Sequence, residues 1–206
     1  MKINLSKRLN ILPLTPELCD DYLHFFDVTP HADELDEYKC YCVFWSSTSC
    51  EKEDISTAEK RRLLAEKQVK AGAIKGYLAY VDGEVVGWCN ANTRDECNEC
   101  IGGRSHLKPL VESDENKGLK IKSVFCFVVS PEYRRQGISG ALLDRVCKDA
   151  KEDGFDFLEG YPCKEFGDPS WSYTGPYDIY IERGFEVCID WGDRVCVRKK
   201  LNMGRA

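Results

Sequence analysis

The chain has 206 residues, a net charge of −6, and a globular balance of 43% hydrophobic and 31% charged residues. The acidic excess argues against a nucleic-acid binder and fits small cationic substrates, and no apolar run reaches membrane-spanning length. "MKINLSKRLNILPLTPELCDDY" has no signal-peptide core, so the expectation is one cytoplasmic domain over residues 1–206, with its 12 cysteines as thiols.

In chain order, "RLNILPLT" predicts a first strand, and Thr15-Pro16 a helix start that puts Leu18, Tyr22, Phe25 and Phe26 on one face. From Val28 to Asp54 periodicity is lost around the aromatic "YCVFW", which predicts a long loop with short structured pieces. Ser56 and Glu59 make a capping box for a charged helix that stops at Gly72. "YLAYVDGEVVGWCNAN" predicts a hairpin turning at Asp82-Gly83. Arg94 to about Gly118 is polar and irregular, and "KIKSVFCFVVS" is a buried strand. Ile138, Leu142, Val146 and Ala150 recur at helical spacing up to Gly154. A short strand "FDFLEGYP", a helix ending near Gly184, and two strands joined around Gly192-Asp193 complete the order β-α-α-β-β-β-α-β-α-β-β. That is a mixed α/β fold: a mostly antiparallel sheet of six to seven strands, about four helices and one β-α-β crossover.

The chemistry concentrates in "SPEYRRQGISGALL", between the buried strand and the amphipathic helix. A helix N-terminus offers unpaired amides and a partial positive charge. Gly137 permits close approach to the backbone, and Arg134 and Arg135 add charge partners for phosphate. No Gly-Lys-Ser/Thr follows, so this is not a P-loop, and the spacing is not that of a dinucleotide-binding G-x-G-x-x-G.

"VVSPEYRRQGISGALLDRV" resembles motif A of the GNAT-type N-acetyltransferases, with Arg134, Gly137 and Ser139 in the key positions. Ser139 stands where glycine or alanine is usual, and Gly140 comes one step late. "IYIERGFEV" is similar to the family's Y-x-x-x-G-F element, through Tyr180, Gly184 and Phe185. The resemblance runs from about Tyr77 to Leu201. It implies acetyl transfer from acetyl-CoA to a primary amine of a small molecule, by direct attack in a ternary complex. It also implies that Phe127, Val128 and Val129 receive the pantetheine arm, with an N–H near Val129 polarising the thioester carbonyl. The diphosphate then lies on Arg135, Gln136, Gly137, Ile138, Ser139 and Gly140, with Arg134 beside them. Tyr180 is the implied acid for the thiolate. Some relatives carry a base at the position of Ser123, which has no basic group; Glu159, with Asp168 behind it, is the substitute expected here.

Trp45, Trp88, Tyr161 and Trp171 are the expected acceptor wall, together with Tyr173. Each is also an ordinary core residue in the commoner case. Cys40-x-Cys42 and Cys97-x-x-Cys100 lack a usual zinc spacing, and the expectation is no metal. The expected partners are acetyl-CoA and an amine, with neither nucleic acid nor membrane, in a monomer or homodimer. A non-catalytic acyl-CoA-binding module is the alternative function.

Overall fold

A computed structural model describes residues 8–30, 35–48, 53–104, 107, 118–165, 167 and 172–201. Seven strands form one sheet in the order β1-β2-β3-β4-β5-β7-β6. They are β1 (Leu9–Pro13), β2 (Gly76–Val81), β3 (Glu84–Thr93), β4 (Ile121–Val129), β5 (Phe157–Gly160), β6 (Glu186–Asp190) and β7 (Val195–Lys200). Among the described residues only β4 and β5 pair in parallel; the other neighbouring pairs of these strands are antiparallel. The α-helices whose bounds lie among the described residues are α1 (Cys19–Val28), α2 (Ala58–Lys70), the single turn α3 (Arg94–Cys97), α4 (Ile138–Glu152) and the short α5 (Tyr177–Ile181). The expected mixed α/β architecture with one β-α-β crossover, through α4, is what the chain adopts.

Local chemistry explains most boundaries. Asp82 and Gly83 both have positive φ, 53° and 90°, as the primed two-residue turn between β2 and β3 requires. α2 is capped by Thr57, whose Oγ1 accepts from Lys60 N–H; the expected cap, Ser56, bonds Asp54 instead. α4 buries Ile138, Leu142, Val146 and Ala150, one per turn. It lies so close to the sheet that a Cβ on Gly87 would stand 2.8 Å from Ile138 Cγ2.

α1 and α2 cover one face of the sheet, with Tyr22, Phe25, Trp88 and Phe125 in that core. α4 covers the other, with Val124, Leu142, Leu158 and Tyr180. Among the described residues no helix is long and apolar enough to cross a membrane, and all described cysteines are free thiols. Leu142 is fully buried between α4 and the sheet. Leu142→Ala should therefore lower the unfolding free energy by about 2–5 kcal/mol, read as a lower urea midpoint at unchanged slope.

Candidate functional site

The site begins where two strands part. β4 and β5 pair from Ile121↔Phe157 to Val124↔Gly160 and then stop, although β4 continues to Val129. The Tyr180 ring packs directly on Gly160: a Cβ there would fall 2.3 Å from Tyr180 Cε1. Past this point the segment before α5 lies alongside β4. Phe127 N–H donates to Tyr173 O at 2.7 Å, and the Tyr180 hydroxyl donates to Thr174 O at 2.8 Å. No register shift separates Phe127 from Val129, so their amides point the same way, into the gap. Arg134 Nε donates to Val129 O at 3.1 Å and ties the following loop to the strand end.

That loop is a one-turn 3-10 helix, Pro131–Tyr133, followed by two left-handed residues, Arg135 (φ 58°) and Gly137 (φ 85°). α4 then starts at Ile138 with its first-turn amides at the cleft. No atom lies within 4 Å of where a Gly137 side chain would begin, so the space above it is open. Gly140 is different: a Cβ there would stand 2.3 Å from Arg183 Nη2, and Arg183 in turn pairs with Asp144 at 2.8 Å. Its small size serves internal packing.

A cleft of about 840 Å³ runs along this line. Its lining includes Phe127, Val128, Val129, Arg134, Arg135, Gly137, Ile138, Ser139 and Gly140, the expected set except Gln136. The Gln136 side chain is exposed and donates to Glu132 O at 2.7 Å. The cleft's other end is walled by Phe26, Phe44, Trp45, Cys126 and Tyr173. Trp45 stacks on Phe125 at 4.5 Å and lies over Gly102, where a Cβ would meet its ring at 2.8 Å. The loop carrying Phe44 and Trp45 is fastened by buried Arg61, whose guanidinium donates to the carbonyls of Lys39, Ile55 and Glu37. Tyr41 adds a hydroxyl bond to Asp27 at 2.9 Å.

Of the remaining expected site residues, Trp88, Glu159, Tyr161 and Tyr180 are not among those lining the cleft. Trp88 is fully buried, edge-on to Tyr22 at 4.9 Å, with Nε1 donating to Cys42 Sγ at 3.2 Å. Its strand is covered on both faces, so neither face is free for a ligand. Tyr161 is buried behind Phe125, its hydroxyl donating to Glu159 Oε2 at 3.0 Å and lying 2.8 Å from Ser123 Oγ. Glu159 is fully buried: Arg198 Nε donates to it at 2.8 Å, and Arg94 Nη1 lies 3.6 Å away. Its carboxylate is thus a counter-ion in the sheet interior, enclosed away from the cleft. Tyr180 is fully buried beside the gap, and burial pushes its phenol well above the usual range, so it keeps its proton at neutral pH. Trp171 and Asp168 lie outside the described residues.

The two cysteine pairs are not brought into one ligand set. Cys97 Sγ donates to Trp45 O at 3.5 Å, whereas Cys42 sits under Trp88. Among the described residues the one group of three ligand-type side chains is Glu159, Cys188 and Cys196, and Arg198 already holds its carboxylate. Sequence reading passed over Phe44 and Lys39, which stand in the aromatic loop singled out only as a stretch.

Residues 37–165 match the model of the acetyltransferase (GNAT) family. No curated protein matches the chain. Among solved structures, a GNAT-family acetyltransferase from Streptococcus pneumoniae is 15% identical, with a TM-score of 0.51 over 94% of this chain and 99% of that one. The PaiA N-acetyltransferase from Thermoplasma acidophilum, in complex with coenzyme A, is 16% identical, with a TM-score of 0.50 over 93% and 98%. The ribosomal-protein-S18-alanine N-acetyltransferase from Escherichia coli is 12% identical, with a TM-score of 0.50 over 96% of each chain. At such identities the structures report a shared fold, whereas the family model matches more than half of this sequence: the chain belongs to the acetyltransferase (GNAT) family.

Proposed function

We propose that the chain transfers an acetyl group from acetyl-CoA to a primary amine of a small molecule, by direct attack in a ternary complex. The observation that carries this reading is one continuous cleft, from the N-terminus of α4, past the gap between β4 and β5, to an aromatic wall. The amides opening α4, with Arg134 and Arg135, suit a diphosphate. The coenzyme A complex of the Thermoplasma relative supports the same ligand here.

In this reading Val129 N–H polarises the thioester carbonyl. It is the better candidate than Phe127 N–H, which is already donated to Tyr173 O. The amine nitrogen attacks the carbonyl carbon, the C–S bond breaks, and the amine's surplus proton passes to water. The departing thiolate takes a proton from Tyr180, whose phenolate is restored by the proton that the amine gave to water. That phenol is held protonated by burial and now donates to Thr174 O, so its role requires exchanging that acceptor for sulfur. Glu159 acts by holding Arg198 and Arg94 in place, since both of its oxygens are engaged.

Three measurements check these roles. Gly137→Asp meets open space but is strained at φ 85°, so it should fold with a lowered urea midpoint and abolish acetyl-CoA binding by calorimetry; Ser139→Gly should preserve binding. Tyr180→Phe should lower kcat by about 10²-fold or more while acetyl-CoA still binds, and unchanged turnover would remove the acid assignment. Glu159→Gln leaves two buried or half-buried arginines short of a counter-charge. It should cost about 3–5 kcal/mol of stability in urea unfolding and leave the shape of the pH–rate profile unaltered.

A further inference from the structure

We propose that the acceptor is an aromatic, apolar primary amine bound without a counter-ion, and not a polyamine. The inference rests on the acetyl-transfer reading above and narrows it to a substrate class.

The cleft divides at the end of β4, whose alternate side chains face opposite sides of the sheet. Phe127 and Val129 belong to the α4 side, with Ile138, Tyr133 and Ile179. That half holds the anion-binding helix terminus. Cys126 and Val128 belong to the α1 side, packed with Phe26, Trp45 and Tyr173. This second half is where an acceptor meets the gap, and its lining is mostly rings, aliphatic carbon and sulfur, with Thr29, Ser172 and Lys39 as its polar side chains. Cys40 and Phe44 complete it. Flat rings and polarisable sulfur favour an aromatic guest over a hydrated chain. At the mouth, Tyr38 is half exposed, and Leu35 in the same turn is 47% exposed, so the apolar surface continues outward.

Charge points the same way. Although the chain is acidic overall, every charged side chain that lines the cleft among the described residues is cationic: Lys39, Arg134 and Arg135. Lys39 Nζ is fixed at the wall, 2.6 Å from Asp27 O and 2.9 Å from Asp36 Oδ1. Lys39 is therefore a paired ion, and a polyamine would find no carboxylate among the described lining residues for its further ammonium groups, which would meet apolar surface at a desolvation cost. An amine with one nitrogen and an aromatic body buries the body and loses only one proton. The apolar surroundings favour its neutral, attacking form. The site thereby eases the deprotonation that Glu159, enclosed by arginines, is not placed to perform.

The test measures thiol release from acetyl-CoA with phenethylamine and with spermidine at one pH, alongside calorimetric binding of acetyl-CoA. The expected result is a kcat/KM at least tenfold higher for phenethylamine. Phe44→Ala should raise KM for phenethylamine severalfold and leave the acetyl-CoA affinity unchanged. Equal or better turnover of spermidine overturns the inference but leaves acetyl transfer standing, as does an unchanged KM in a folded Phe44→Ala. Acetyl-CoA binding with no release from either amine overturns acetyl transfer itself, and this inference with it.

Discussion

The structure turns on a parallel strand pair that runs out. β4 and β5 share four residue pairs and then separate, with the Tyr180 ring laid on Gly160 at the point of parting. A sheet that stayed closed would spend the Phe127 and Val129 amides on its own ladder. Because it opens, those donors face a gap, beside a helix whose N-terminal amides are also unspent. One backbone event therefore lays out an amide donor, a helix N-terminus and a phenol beside the gap, the groups to which the proposed function gives the carbonyl, the diphosphate and the thiolate. Side chains only refine what the main chain has already arranged.

The gap is partly filled from within the chain. Tyr173 O takes the Phe127 amide and Thr174 O takes the Tyr180 proton, so the segment before α5 satisfies both groups. A buried donor left unpaired is costly, which gives this segment a structural reason to be there. It also means that a ligand arm in the gap must replace bonds, exchanging one acceptor for another at nearly equal hydrogen-bond count. The two ends of the cleft then divide the labour. Exposed arginines and helix amides stand at one, where the proposal puts an anion, and a ring-lined slot held by Arg61 stands at the other, where it puts an apolar group.

What was legible in the sequence was local. Gly137 before an amphipathic run, Asp82-Gly83 between β-rich runs, and Tyr180 four residues before Gly184 each carry their signal within one turn or one element. What was not legible depended on residues far apart. Glu159 is the base that the sequence leads one to expect, but it stands directly across from Arg198 in the β5–β7 pairing, with Arg94 arriving from the end of β3. Trp88 looked available because an aromatic residue does not announce which face of a strand is covered, and here both are. Gly102-Gly103 read as an irregular polar excursion. In the fold, Gly102 makes room for Trp45, and a Cβ on Gly103 would collide with Cys97 O. Arg61 looked like one of several charges on an exposed helix and proves to be the fastener of the loop that forms the cleft's wall.

The most direct test is a crystal structure of the protein with acetyl-CoA. The account predicts the diphosphate on the amides at the start of α4, the thioester carbonyl facing Val129 N–H, and the sulfur within reach of the Tyr180 hydroxyl. Acetyl-CoA lying outside the gap, with the Phe127–Tyr173 and Tyr180–Thr174 bonds intact and the α4 terminus empty of phosphate, would contradict it.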